Sequence, residues 1–189
     1  MTFAHTGLPA GRPLPPPDRH LGVLFVGRVN AGRSVMAEAM LRHHADHRFE
    51  AYSAGLAPAA ALNPHILARL RAEGIATSGL APTPLDRFMA PDAPAIDIII
   101  TVSALAAEGL ATAWPGRAAT AHWDLPNPDP ALFPGDDLDQ QILVEAIFHD
   151  LRRRIDVLAA LPTPCLLALS QWDLDDDDGD DGAGLRHAG

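Results

Sequence analysis

Leu21-Gly22-Val23-Leu24-Phe25-Val26 runs directly into Gly27-Arg28-Val29-Asn30-Ala31-Gly32-Arg33, and residues 34–44 follow with Ala37, Ala39, Met40 and Leu41 at helical spacing. The first six residues form a short, unbroken apolar run, which is what a parallel strand covered on both faces requires. The segment that follows carries two glycines and interrupts the apolar pattern, so it predicts a loop. Strand, loop and helix in that order form the unit from which parallel sheets are assembled.

Working outward, the same alternation recurs. A second strand is predicted over residues 49–54, stopping at Gly55. A helix is predicted from Pro64, with Ile66, Leu67 and Leu70 on one side and Gly74 as its end. Ile98, Ile99 and Ile100 mark a third strand within residues 96–102, followed by a short helix at 104–108. Residues 120–123 supply a fourth strand, and Ile142, Val144, Ile147, Leu151, Ile155 and Leu158 repeat at a helical period across 138–161. Alternating strands and helices predict an α/β fold: a three-layer, doubly wound, four-stranded parallel sheet with the anion-cradling loop after the first strand. Ligands of such sheets gather at the carboxyl ends of the strands, where residues 27–33 lie.

The ends have a different character. Pro13, Pro15, Pro16 and Pro17 deny residues 1–19 a helix or a central strand, so this stretch reads as a disordered Pro-rich arm. Residues 171–189 hold seven aspartates against Arg186 and contribute −6 of the net charge of −10, the pattern of a solvated, disordered acidic tail. One domain at 20–170 is expected between them. With hydrophobic residues at 48% and charged residues at 20%, that domain can bury a core without help from disulfides or metal. Cys165, the only cysteine, excludes an internal disulfide and a cysteine-rich zinc site, and its apolar neighbours predict a buried, inert thiol. No apolar stretch reaches membrane-spanning length, no secretory leader is evident and no basic face is present. A cytoplasmic protein with no nucleic-acid and no membrane partner is expected.

The loop has its own chemistry. A strand-to-helix turn can aim several backbone N–H groups at one point beside the positive end of a helix. Arg33 offers a planar fork for two oxygens, Arg28 a second positive charge, and Gly27 and Gly32 are expected to let the backbone turn tightly. Phosphate, arsenate and sulfate all satisfy that geometry. The same spacing also fits an ordinary turn with its arginine in solvent, and the loop alone does not decide between the two.

The run from Val23 to Ala39 resembles the phosphate-loop signature of the low-molecular-weight tyrosine phosphatases and the arsenate reductases related to them, its Asn-Ala-Gly-Arg-Ser core being closest to the reductases. Ser53-Ala54-Gly55 with Pro58, Asn63-Pro64, Gly74-Ile75, Asp86-Arg87-Phe88, Asp97-Ile98-Ile99-Ile100-Thr101 and His122-Trp123 follow in the family's order, across about residues 21–160. The resemblance implies that Arg28, Val29, Asn30, Ala31, Gly32, Arg33 and Ser34 surround a bound oxyanion. It also exposes two departures. The family's nucleophilic cysteine is replaced by Gly27, which has no side chain with which to attack phosphorus or arsenic. The family's general acid, an aspartate in an Asp-Pro pair, is replaced by Asn127, whose amide has no proton to give at neutral pH. Asp124 and Asp129 stand near that position. Ser34 is expected to cap the following helix and is not activated by any neighbouring base.

The expectation is therefore a catalytically inactive homologue with no catalytic residues, no metal and no cofactor. It would retain a loop for phosphate, arsenate or another oxyanion, including one carried on a phosphorylated protein. The alternatives are a weak arsenate reductase or phosphatase using Asp124, Asp129 or an external thiol, and an interaction module that works through its tails. His43 and His47 share a helix face and could contribute to a zinc site, but no third ligand is apparent, and histidines near a helix C-terminus suit its dipole. The acidic tail does not fit a calcium loop, because Leu174 falls where the first aspartate ligand belongs.

Overall fold

The computed structural model describes residues 19–114, 118–128 and 136–167. The Pro-rich arm apart from Arg19, the acidic tail and Asp129 lie outside them. The elements are β1 (Leu21–Gly27), α1 (Arg33–Ala45), β2 (Phe49–Gly55), α2 (Pro64–Ala72), a 3₁₀ turn (Leu85–Phe88), β3 (Ile98–Thr101), α3 (Ala104–Ala113), β4 (Ala119–His122), α4 (Asp137–Ala160) and α5 (Thr163–Leu167). The four strands are parallel in the order β2-β1-β3-β4. The predicted doubly wound sheet is thus what forms, and the predicted strands and helices appear with ends shifted by a few residues. The 3₁₀ turn and α5 were not anticipated.

Side chains of β1 alternate between two cores because successive Cβ atoms point to opposite faces. Leu21, Val23 and Phe25 join Ile98, Ile100 and the inner faces of α1, α2 and α4, whereas Leu24 and Val26 join Ile99, Ala106 and Leu110 of α3 together with Leu85 and Phe88. Two cores on one sheet make the three layers. Helix α1 is buried almost all round over its first nine residues, which explains its weak amphipathic pattern.

Local sequence sets the helix ends. The Asn63 side chain accepts from the amides of His65 and Ile66, and Pro64 occupies the first helical position, where its missing N–H costs nothing. At the other end of α2 the amides of Gly74 and Ile75 donate to the carbonyls of Arg71 and Leu70, and Gly74 takes a left-handed φ of 76°. That closure needs a residue without a Cβ penalty. Helix α4 begins with a reciprocal capping box between Asp136 and Asp139.

Cys165 is exposed, contrary to the expectation of a buried thiol. The apolar run forms the short helix α5, which turns Leu166 and Leu167 inward and Cys165 outward. Apolar neighbours in sequence do not bury a residue when the period is helical.

Candidate oxyanion site

Connections leave β1 toward β2 on one side and β3 toward β4 on the other, so the chain reverses direction across the sheet between β1 and β3. This crevice is where open α/β sheets hold ligands. Gly27 ends β1 there, Val102 follows β3, and the two help to line a cavity of about 270 Å³. Residues 28–34 form its floor, Ala59, Ala61, Leu62 and Asn63 one wall, and Asn127 and Pro128 another. Every residue singled out as an anion ligand from the sequence, Arg28 through Ser34, lines this one cavity, together with Asn127.

The loop is held from behind. The carbonyls of Gly27, Arg28, Val29 and Ala31 accept from the amides of Leu56, Ala57, Ala59 and Asn63, at 2.8 to 3.2 Å. A trans peptide sets its N–H opposite its C=O. The amides of Arg28, Val29, Asn30 and Gly32 are therefore turned away from the 56–63 segment, and none of the four has an acceptor among the described residues. The Gly32 carbonyl accepts from Met36 at 2.8 Å and starts α1, whose positive end adds to the same region.

Asn30 is the residue on which the turn depends. It adopts a left-handed φ of 47° and is 1% exposed. Its Nδ2 donates to Ser34 Oγ at 3.0 Å and Ser53 Oγ at 2.8 Å, and its Oδ1 accepts from the Thr83 amide at 2.7 Å. Ser53 in turn donates to Glu38 at 2.5 Å, and Arg42 donates to the same carboxylate and to the Ala51 carbonyl. Burial pushes the Glu38 carboxyl above its ordinary pKa, against the opposing pull of Ser53 and Arg42. Gly55 lets β2 approach: a Cβ there would sit 2.9 Å from Asn30 Cβ and 3.0 Å from its amide nitrogen.

One expectation is refined and one corrected. The left-handed residue of the turn is Asn30 and not a glycine, while Gly27 ends β1 and Gly32 is the N-cap of α1, with φ −139° and ψ −100°. Ser34 does not cap α1. It lies within the helix, and α1 has no side-chain cap. Its hydroxyl instead accepts from Asn30.

Arg33 is half-buried at the start of α1 and reaches across to the 123–128 segment. Its Nη1 donates to the Leu125 carbonyl at 2.5 Å and its Nη2 to Asn127 Oδ1 at 3.3 Å. Burial lowers its pKa, offset by the charge of Asp124, and it remains a cation. That segment is positioned by Leu125, 3% exposed in the core, by Trp123 packed on Phe25 at 5.7 Å between ring centroids, and by Asn63, whose Nδ2 donates to the Pro128 carbonyl at 3.0 Å. Sequence reasoning missed the Leu125 carbonyl and this second role of Asn63. A backbone acceptor has no residue signature, and the asparagine showed only as part of an Asn-Pro pair.

At Gly27 there is room for a side chain. A Cβ would meet Ser34 Oγ at 3.0 Å and Val102 Cγ2 at 3.5 Å, so only a slight shift of the serine is needed. His43 and His44 are exposed at the far end of α1, where His44 faces Asp156 at 3.2 Å, and the exposed His47 lies beyond the helix, so it does not share a helix face with His43 as expected. No group of three metal-ligating side chains is gathered among the described residues, and no helix there is long and apolar enough to cross a membrane.

Fold and loop together define an α/β protein with a braced strand-to-helix loop, its amides open, at the switch point of its sheet. The sequence model of the low molecular weight phosphotyrosine protein phosphatases matches residues 22–160, and the chain belongs to that family. Among solved structures it is similar to the thioredoxin-dependent arsenate reductase of Corynebacterium glutamicum, with a TM-score of 0.54 and 28% identity over 75% of this chain and 65% of that one, slightly under two thirds of the enzyme's length. The arsenate reductase of Archaeoglobus fulgidus gives a TM-score of 0.53 and 24% identity over 71% of this chain and 98% of that one. The tyrosine phosphatase Wzb of Escherichia coli K30, solved in complex with sulphate, gives 0.58 and 16% identity over 74% and 99%. No curated protein matches the chain.

Proposed function

We propose that this chain is a catalytically inactive member of the family that binds an oxyanion, free or carried on a larger molecule, in the cavity above residues 28–34. One observation carries the reading: the loop is fully braced, with Arg33 at its end, yet Gly27 stands where a nucleophile is needed. Covalent catalysis requires an atom that attacks, and neither hydrogen nor the amides around it can do so. Ser34 is no substitute, because its hydroxyl meets Asn30 and no base. Asn127 adds a second loss, since it can accept from Arg33 but not protonate a leaving oxygen. Without a thiolate, the bound anion no longer faces a negative charge at the base of the cavity.

The test is a thermal unfolding titration of the full chain with sulfate, phosphate and arsenate, against chloride at equal ionic strength. Saturable stabilisation by at least one oxyanion is expected, and Arg33→Ala is expected to abolish it. Stabilisation that chloride reproduces, or that survives in Arg33→Ala, would sink the binding role. Inactivity is tested separately. Hydrolysis of an aryl phosphate, or arsenate-dependent thiol consumption, that is lost in Arg33→Ala would show that chemistry remains.

A further inference from the structure

We propose that residues 168–178 of this chain return along α4 to fill an apolar groove between α4 and the edge strand β4, with Trp172 on its floor and the following aspartates against Arg153 and Arg154. The groove shares no residue with the cavity above residues 28–34 and is independent of any anion bound there.

β4 closes the sheet on one side. Helix α4 packs chiefly on α1 and α2, and toward β4 it leaves a groove of about 380 Å³, larger than the cavity at the loop. Ile100, Ala121 and Trp123 form its floor, and Val157, Leu158 and Leu161 its wall. Ala121, Trp123 and Leu161 are half-buried and Val157 is 60% exposed, so the described residues cover this apolar surface only in part. Apolar surface gathered in a concave site marks a place where another apolar group packs. The rim is basic. Arg153 donates to Asp150 at 2.8 Å and Arg154 at 3.0 Å, Arg154 also lying over the Trp123 ring at 5.8 Å. Asp150 is the only acid among the lining residues, so two guanidiniums meet one carboxylate, and the Arg153 side chain is 70% exposed. The groove calls for an apolar occupant with acidic residues beside it.

Residues 168–178 have that character: Ala168-Leu169-Ser170-Gln171-Trp172-Asp173-Leu174 runs into Asp175, Asp176, Asp177 and Asp178. They also start in the right place. Helix α5 ends at Leu167, whose side chain packs with Leu166 in the same core as Ile100 and Leu158. Pro162 and α5 carry the chain no more than about 15 Å from Leu161. An extended chain covers about 17 Å in five residues, so Trp172 reaches back to the groove. The order of residues fits as well. Leu161 and Val157 lie nearest α5, and Arg153 lies about 12 Å from Leu161 along α4. A segment running antiparallel to α4 meets the apolar residues first and the arginines next, the order in which Leu169, Trp172 and the aspartates come. Tethering holds the segment at an effective concentration on the order of mM, so modest affinity fills the groove. The Pro-rich arm is the poorer match, because residues 1–17 carry Arg12 and no acid.

The experiment follows Trp172 in the full chain, as the difference in tryptophan emission and acrylamide quenching between the unmodified protein and Trp172→Phe. Trp172 is expected to emit further to the blue than in the urea-unfolded chain and to be quenched several-fold less. Val157→Asp puts a carboxylate on the groove wall and Arg153→Glu reverses the charge of the rim. Each, compared with its own Trp172→Phe partner, is expected to return Trp172 to solvent-like emission, and both positions are exposed, so the fold tolerates the changes. Ile142→Asp, at an equally exposed residue of α4 about 22 Å from Val157, is expected to change nothing. Trp172 quenched as freely as in the unfolded chain overturns the proposal and leaves the groove to a separate partner. Protection that rises with protein concentration overturns it in favour of a second copy. Protection that survives Val157→Asp, or is lost equally in Ile142→Asp, overturns the assignment to this groove.

Discussion

Gly27 bears most directly on activity. A Cβ at this position meets a movable serine oxygen rather than backbone, so Gly27→Cys is expected to fold and to place a thiol among unpaired amides at the start of a helix. That setting lowers a thiol pKa. Alkylation of Gly27→Cys by iodoacetamide should thus persist below the pH at which exposed Cys165 stops reacting, read by mass spectrometry of the two peptides. The single variant still lacks the general acid. Adding Asn127→Asp to Gly27→Cys should increase aryl phosphate hydrolysis roughly 10²- to 10⁴-fold over Gly27→Cys alone, the usual contribution of a positioned acid. Equal rates in the two variants would show that position 127 does not face the leaving group.

Glu38 gives a second prediction at this scale, with a definite sign. Its folded pKa is raised, chiefly by burial. Its contribution to stability is therefore fully present below the ordinary carboxylate pKa and is lost as pH rises through the raised value. Glu38→Gln removes that loss. The melting temperature of Glu38→Gln relative to the unmodified protein should climb between about pH 4 and about pH 7. A difference that falls over this interval would mean that Arg42 and Ser53 outweigh burial.

At the scale of elements, the site is a loop suspended between two braces. The 56–63 segment holds the backbone carbonyls of the loop, and the 123–128 segment holds Arg33. Asn63 joins the systems: its amide donates to Ala31, its Oδ1 caps α2 and its Nδ2 donates to Pro128. Asn63→Ala should cost about 1 kcal/mol from the lost cap, seen in denaturant unfolding. It should also weaken sulfate binding, which Asn63→Asp restores only in part, because aspartate caps the helix but cannot donate to a carbonyl. The strand-to-helix unit was legible in residues 21–44 because its apolar run and breaking glycines are local signals. The brace was not, because amides donating to carbonyls use no side chain. Asn30 was legible as a loop residue but not as the left-handed one, since its side chain is held by neighbouring Ser34 and by Ser53 and Thr83 arriving from two other segments.

For the whole molecule, ligand binding and folding are one equilibrium. The loop, the start of α1, residues 59–64 and residues 127–128 all line the cavity, so the proposed anion site exists only in the folded chain. A ligand at a hundred times its Kd then stabilises by about 2.7 kcal/mol, which for a domain of this size raises the melting temperature by roughly 5 to 10 °C. Sulfate should do this in the unmodified protein and not in Arg33→Ala, measured by differential scanning calorimetry. The same unity explains the burial of Asp97 far along the chain from Arg19. The carboxylate is fully buried, pairs with both terminal nitrogens of Arg19 at 2.8 and 2.9 Å, and accepts from the Gly22 amide at 3.0 Å. It ties β1 to the residues entering β3 at the end of the sheet opposite the cavity.

Periodicity and breakers by themselves determined the sheet, the helices and the place of the loop, because each is a property of neighbouring residues: apolar runs of strand length, the helical repeat of 138–161, and the glycines and prolines between them. The residue types at Gly27 and Asn127, on which the proposed inactivity rests, were also plain in the sequence. Only the tertiary structure decided that Arg33 turns toward Leu125 and Asn127, that Asn30 rather than a glycine takes the left-handed conformation in the loop, and that Cys165 faces outward. It also decided that the carbonyls of Gly27, Arg28, Val29 and Ala31 meet the 56–63 segment while the amides of the same peptides are left open. These depend on which distant segments meet, and a hydrogen bond between parts of the chain that are far apart in sequence is written in the packing of the whole molecule.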